Sequence, residues 1–163
     1  RDLATAAEQL GPVRLVVNNA STLGRSPLPT LDTIKPDDLR RTFDVNVVAP
    51  IALVRQLAPS LAEGAVIVNI TSDAAAAAYP TWGGYGATKA ALEHAGRVLA
   101  VEHPEWRVLS VDPGDMRTEM HQDAFPGEDI GDRPEPEASL PGLMALIAGE
   151  YPSGRYVAKE VAS

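Results

Sequence analysis

The chain has 163 residues, of which 45% are hydrophobic and 22% charged, with a formal net charge of −8 and no cysteine. That is the size of one domain with a core of its own, and the missing thiols exclude disulfides, a cysteine nucleophile and a thiolate metal site. With 14 Lys+Arg against 22 Asp+Glu and no basic cluster, nucleic-acid binding is disfavoured, and no apolar run nears the roughly 20 residues of a membrane span.

The first residues, from Arg1, already lie inside a helical pattern: Leu3, Ala6, Ala7 and Leu10 recur at helical spacing until Gly11-Pro12 stops them. A natural domain seldom begins within an element, so a partial chain is expected. No secretory signal is visible in these residues and a cytoplasmic location is the expectation. Residues 13–18 (VRLVVN) have the β-branched character of a buried parallel strand. Residues 21–36 form a loop rich in proline, glycine, serine and threonine. From Pro36 an amphipathic helix is predicted toward residue 62, with Leu39, Phe43, Val47, Ile51, Val54 and Leu57 on its apolar side and a bend at Pro50. A second buried strand is predicted over residues 64–72 (GAVIVNITS), followed by the small-residue run 74–78 and a loop over 80–84. A helix then runs to about residue 102, and a third strand over 106–111 stops at Asp112-Pro113-Gly114. Residues 115–136 read as a long acidic loop, 140–148 as a helix and 154–158 as a last strand.

Strands alternating with helices predict an α/β fold, a doubly wound parallel sheet of about four strands covered on both faces, in a single domain or part of one. Ligands of such sheets sit beyond the carboxyl ends of the strands. That rule selects residues 18–21, 71–73 and 113–118.

Tyr85 and Lys89 lie four apart at the start of a predicted helix and share a face. A cation beside a phenol stabilises the phenolate and lowers its pKa, so the pair could exchange a proton with a substrate hydroxyl or carbonyl. Ser72, at the end of the preceding strand, could place a hydroxyl on the same substrate oxygen. Asn46 is a polar amide among valines in an apolar helical stretch, which needs a bonding partner. It could cap a kink produced by Pro50, or anchor a water near Lys89.

Asn18-Asn19-Ala20, Asn46, Ser72, Tyr85-Gly86-Ala87-Thr88-Lys89 and Pro113-Gly114 followed by Thr118 resemble, in order and spacing, the motif series of the short-chain dehydrogenase/reductase family. The resemblance implies a Rossmann-like fold, of which this chain holds the C-terminal part, and an oxidoreductase moving hydride between NAD or NADP and an alcohol or carbonyl substrate. It implies Tyr85 as the acid/base, Lys89 lowering its pKa and bonding the nicotinamide ribose beside it, Ser72 polarising the carbonyl and Asn46 holding a relay water. Asn19 and Ala20 would pass the adenosine side of the cofactor, and Pro113, Gly114, Met116 and Thr118 would flank the nicotinamide. Residues 119–136 would be the mobile substrate loop, and a homodimer or homotetramer is implied.

Two departures stand out. Ser21 replaces the glycine usual after Asn-Asn-Ala, adding a side chain near the cofactor path. The glycine-rich pyrophosphate turn and the first strands are not among these residues, so the 163 residues alone should bind dinucleotide poorly and leave the first strand as an edge. An alternative reading follows, a partner subunit of the same family that lacks the nucleotide site and does no catalysis. A dehalogenase-like lyase would need arginine at Lys89. His94, His103 and His121 show no metal-ligand spacing and predict no metal site. Trp82 and Tyr79 could line a substrate pocket, Asp73 and Asp115 could tune it, and the acidic residues Glu128, Asp129, Asp132, Glu135 and Glu137 read as a solvated loop face.

Overall fold

A computed structural model describes residues 3–161. Its elements run α1 (Leu3–Leu10), β1 (Val13–Asn18), α2 (Pro36–Phe43), α3 (Ala49–Leu57), β2 (Leu61–Ile70), α4 (Gly83–Glu102), β3 (Arg107–Asp112), α5 (Glu119–Ala124), α6 (Leu140–Ala148), β4 (Gly154–Val157) and α7 (Ala158–Val161). The strands form a parallel four-stranded sheet in the order β1-β2-β3-β4.

Alternate side chains of β2 point to opposite faces, and each face has its own core. Ile67 joins Val16, Val108 and Trp106 under Ala7 of α1, Val54 and Leu57 of α3 and Leu99 of α4. Val66 and Val68 join Leu109 and Val111 under Leu146 of α6 and Ala158 of α7. The chain steps across the sheet in one direction throughout, yet α3 and α4 cross one face and α6 the other. The β3–β4 crossover therefore has the opposite hand to the two before it, against the strong preference for right-handed connections.

Several expectations need correction. β1 stands at the sheet edge as expected, but only one of its faces is buried: Val16 and Asn18 are covered, while Leu15 (42%) and Val17 (45%), on the face of Val66 and Val68, are exposed among the described residues. Leu10, on the predicted apolar side of α1, is exposed. β2 begins at Leu61, not Gly64: Val13 pairs with Leu61 and Leu15 with Val66, a bulge that Gly64 accommodates at φ +74°. The long helix is distorted over Asp44–Val48, where the Ala49 N–H bonds to the Asp44 carbonyl in a π-type turn. Pro50 explains this, since its ring crowds the Asn46 carbonyl and it has no N–H to offer it. Ile51 of the predicted apolar stripe is 48% exposed while Val54 and Leu57 are buried. The acidic loop contains α5, whose six residues are too few for periodicity to reveal. Ala158 begins α7 instead of ending a strand. Among the described residues, no helix is long and apolar enough to cross a membrane.

Candidate active site

β2 delivers Ser72 to the carboxyl edge of the sheet. The Thr71 N–H still bonds to the Val111 carbonyl (2.8 Å), after which Ser72, extended at φ −158° and ψ 159°, caps the turn Asp73–Ala75. Its Oγ accepts the Ala74 N–H (3.2 Å) and donates to Asp73 Oδ1 (3.0 Å). The Tyr79 hydroxyl donates to the other oxygen of Asp73 (2.8 Å).

The first turn of α4 lies directly on that turn. A Cβ on Gly86 would stand 2.5 Å from the Ala74 carbonyl oxygen, so only glycine permits the approach. The approach buries Tyr85 (8% exposed) and Lys89 (2%) on the shared helix face. Lys89 Nζ donates to the Ile70 carbonyl (2.9 Å) and stands 5.5 Å from the Tyr85 ring centroid. Burial lowers the Lys89 pKa to about 8. Burial also raises the Tyr85 phenol to about 12; the Ser21 and Ser72 hydroxyls pull it down, while the negative charges of Asp112 and Asp73 push it further up. The lowered phenol expected from Lys89 is therefore not found. The ammonium stands over the ring, and loss of water costs the phenolate more than the two serines return.

Asn46 is 1% exposed, and protein groups fill the hydrogen-bonding capacity of its amide. Oδ1 accepts the Thr22 N–H (2.8 Å) and the Ser21 hydroxyl (3.2 Å), while Nδ2 donates to the Thr22 carbonyl and to Thr88 Oγ1, both at 2.9 Å. It neither caps its own helix nor has side-chain capacity to spare for a water. It fastens the segment after β1 to α4, through a Thr88 hydroxyl that itself donates to the Tyr85 carbonyl (2.6 Å).

A cavity of about 570 Å³ opens where these elements meet. Of the residues singled out in the sequence, Asn19, Ser72, Tyr85, Lys89, Pro113, Gly114, Met116 and Thr118 line it. Asn46 lies behind its wall, and Ala20 is exposed and does not line it. Thr118 also caps α5, its Oγ1 accepting the His121 N–H (3.1 Å). Asp73, Asp115, Tyr79 and Trp82 line the cavity too, and Trp82 meets Tyr85 edge to face at 5.7 Å.

Sequence reasoning missed Arg155 of β4. Its Nε donates to Glu93 of α4 (3.0 Å), and its Nη2 to Asp112 (3.2 Å) and to the Ser72 carbonyl (3.3 Å). Glu93 also accepts the Thr71 hydroxyl (2.7 Å) and Asp112 the Gly114 N–H (2.9 Å). One guanidinium thus ties together Ser72, the turn at Gly114 and the helix carrying Tyr85 and Lys89. The only sequence signal was a charged residue within a strand, a place where charge demands a partner.

The sequence profile described as short chain dehydrogenase matches residues 2–129. The chain belongs to the short-chain dehydrogenase family. It is 34% identical over 114 residues to sepiapterin reductase of Xenopus laevis, an alignment covering 66% of this chain and 43% of that protein. An uncharacterised oxidoreductase of Methylorubrum extorquens is 30% identical over 169 residues, covering 96% of this chain and 66% of that one. The chain therefore spans less than half of the curated reductase and about two thirds of the longer match. Among solved structures, a short chain dehydrogenase of Salmonella enterica serovar Typhi superposes with a TM-score of 0.86 at 26% identity, covering 96% of this chain and 68% of that one. An Escherichia coli protein assigned to the same family and crystallised with NADPH gives 0.85 at 27% identity, with the same coverage of 96% and 68%. The Rossmann-like α/β fold expected from the motifs is the fold of this family and of this chain.

Proposed function

We propose that the whole protein transfers hydride between NAD or NADP and a small alcohol or carbonyl compound, and that Tyr85 serves it as a general acid in carbonyl reduction. The observation that carries this reading is a buried phenol, held protonated far above neutral pH, on the wall of the cavity that Ser72 and Lys89 also line. The NADPH bound to the E. coli relative supports the cofactor class, and the reductase name of the X. laevis relative supports the reaction class.

The residues present fit the nicotinamide end of such a cofactor. The Lys89 ammonium has three donors, of which Ile70 takes one. The turn at Gly114 (φ +81°) has no atom within 4 Å of where a Cβ would stand, so its backbone is approachable from the cavity. Lys89 would hold the nicotinamide ribose, and Pro113, Gly114, Met116 and Thr118 would flank the ring, with Asn19 and Ala20 toward the adenosine side. When bound, the cofactor supplies the hydride.

Ser72 orients and polarises the carbonyl oxygen by turning its hydroxyl away from Asp73. As negative charge grows on that oxygen, Tyr85 gives up its proton to an alkoxide far more basic than the phenolate left behind. Lys89, ionising near pH 8, then returns a proton toward Tyr85. Asn46 serves the path through its main-chain carbonyl, to which Pro50, four residues on, has no N–H to donate and which is thereby suited to hold a water. Exposed Ile51 on α3 and Val98 and Val101 on α4 support a homodimer through this helical face.

Replacing Tyr85 by Phe in the full-length protein tests the reading. Turnover should fall by roughly 10²- to 10⁴-fold, while quenching or transfer of NADPH fluorescence should report unchanged cofactor binding. Turnover within about twofold of wild type refutes the role.

A further inference from the structure

The hydroxyl at Ser21, where glycine is usual in the motif, stands between two members of the proposed machinery. Its Oγ is 3.2 Å from Asn46 Oδ1, it shares the cavity wall with Tyr85, and it lies near enough to the phenol to favour its ionised form. The bond to Asn46 is long and goes to a neutral amide whose oxygen keeps the Thr22 N–H at 2.8 Å, so Ser21 can turn away without leaving that oxygen unpaired. Ser72, the other hydroxyl near the phenol, is less free. It donates to the Asp73 carboxylate (3.0 Å), a charge-assisted bond, and in the proposed reaction it is engaged with the substrate oxygen. The charged and titratable groups around Tyr85 are Lys89 on α4, Asp73 after β2, Asp112 at the end of β3, and Tyr79, Asp115 and His121 on the cavity wall. Three of these are carboxylates and oppose a phenolate, and Lys89 is held by the Ile70 carbonyl.

We infer that Ser21 is a positioning residue of this site, whose hydroxyl donates to Asn46 while Tyr85 is a phenol and swings to donate to Tyr85 once its proton has passed to the substrate. The inference rests on the reading of Tyr85 as the acid. No atom is transferred from Ser21; one hydrogen bond is exchanged for another as the charge forms. A glycine at this position would take one hydroxyl donor from the transient phenolate and leave Ser72 and the Lys89 ammonium to serve it.

The test uses the full-length protein with Ser21→Ala, Ser21→Gly and Ser21→Thr. Ser21→Ala and Ser21→Gly should each lower kcat about tenfold, the worth of one hydrogen bond to a charged group, with KM unchanged within about twofold. Ser21→Thr should restore kcat. Wild-type kcat in Ser21→Ala and Ser21→Gly overturns the inference. Absence of wild-type turnover would instead overturn the reading of function, and a second readout then decides Ser21 alone. ¹³Cζ-tyrosine NMR, with Tyr85 assigned through Tyr85→Phe, follows the onset of phenol ionisation between about pH 9 and 11. A later onset in Ser21→Ala supports the donation, and an identical onset overturns it.

Discussion

Substituting Arg155 by methionine keeps most of the side chain's length and removes every donor that joins the ends of β2 and β3 to α4. The Arg155 side chain is 32% exposed, while those of its carboxylate partners Glu93 and Asp112 are 10% and 7% exposed. Losing one partner of a buried ion pair costs about 3–5 kcal/mol, because the other charge is left unpaired. Two features place this case below that range. Arg155 is partly solvated already, and each carboxylate keeps one donor, the Thr71 hydroxyl at 2.7 Å and the Gly114 N–H at 2.9 Å. The expected loss is about 2–3 kcal/mol, which in a chain of this length lowers Tm by roughly 4–12 °C. Thermal unfolding followed by circular dichroism at neutral pH measures it. Adding Glu93→Gln to Arg155→Met removes one stranded charge and should recover part of the loss. A Tm within about 1 °C of wild type, or a double variant no more stable than Arg155→Met alone, would refute the view that this guanidinium holds the site together.

Three further outcomes follow from the same geometry. Gly86→Ala forces a Cβ to within 2.5 Å of the Ala74 carbonyl oxygen; overpacking of this kind should cost about 1–3 kcal/mol, and because the turn that moves also carries Ser72, turnover should fall with Tm in the same variant. Lys89→Met should be more stable than wild type at pH 7, because the buried lysine ionises at about 8 instead of 10.5. Between those values the unfolded state holds the proton that the folded state has lost, so wild-type stability rises with pH, and the gap of about 3 kcal/mol to Lys89→Met should close by about pH 10.5 in denaturant titrations. Tyr85 works in the opposite sense: its folded pKa of about 12 lies above the ordinary 10, so its contribution is complete below pH 10 and is lost toward 12, and Tyr85→Phe should remove that alkaline decline.

Much of the frame was legible because local chemistry and global position agree in it. The β-branched run of β1, the proline that opens α2 and the apolar α6 stand where their residue types predict. The Tyr85–Lys89 pair was legible for the same reason, since helical spacing alone places both on one face. Other features depend on what the chain brings together from far away. Arg155 lies 83 residues from the Ser72 carbonyl and 62 from Glu93, and only the parallel register of β3 with β4 carries it there. The direction of the Tyr85 pKa depends on how much water burial removes, which the neighbouring residue types do not reveal. At Asn46 the anticipated bend was visible in Pro50, but its form as a π-turn and the satisfaction of the amide by Thr22 and Thr88 come from packing of the segment after β1 against α4. Gly64 and Ala158 show the limit of punctuation, since a glycine inside a bulged strand and an alanine opening a helix look in sequence like boundaries of a different kind.

The most direct measurement of the central claim supplies the full-length protein with cofactor deuterated at the transferring carbon, together with a panel of small carbonyl compounds, and analyses the alcohols formed by mass spectrometry. Wild type should place one deuterium on the former carbonyl carbon, and Tyr85→Phe should form almost no alcohol. Alcohol formed without deuterium, or labelled alcohol from Tyr85→Phe at the wild-type rate, would contradict that claim.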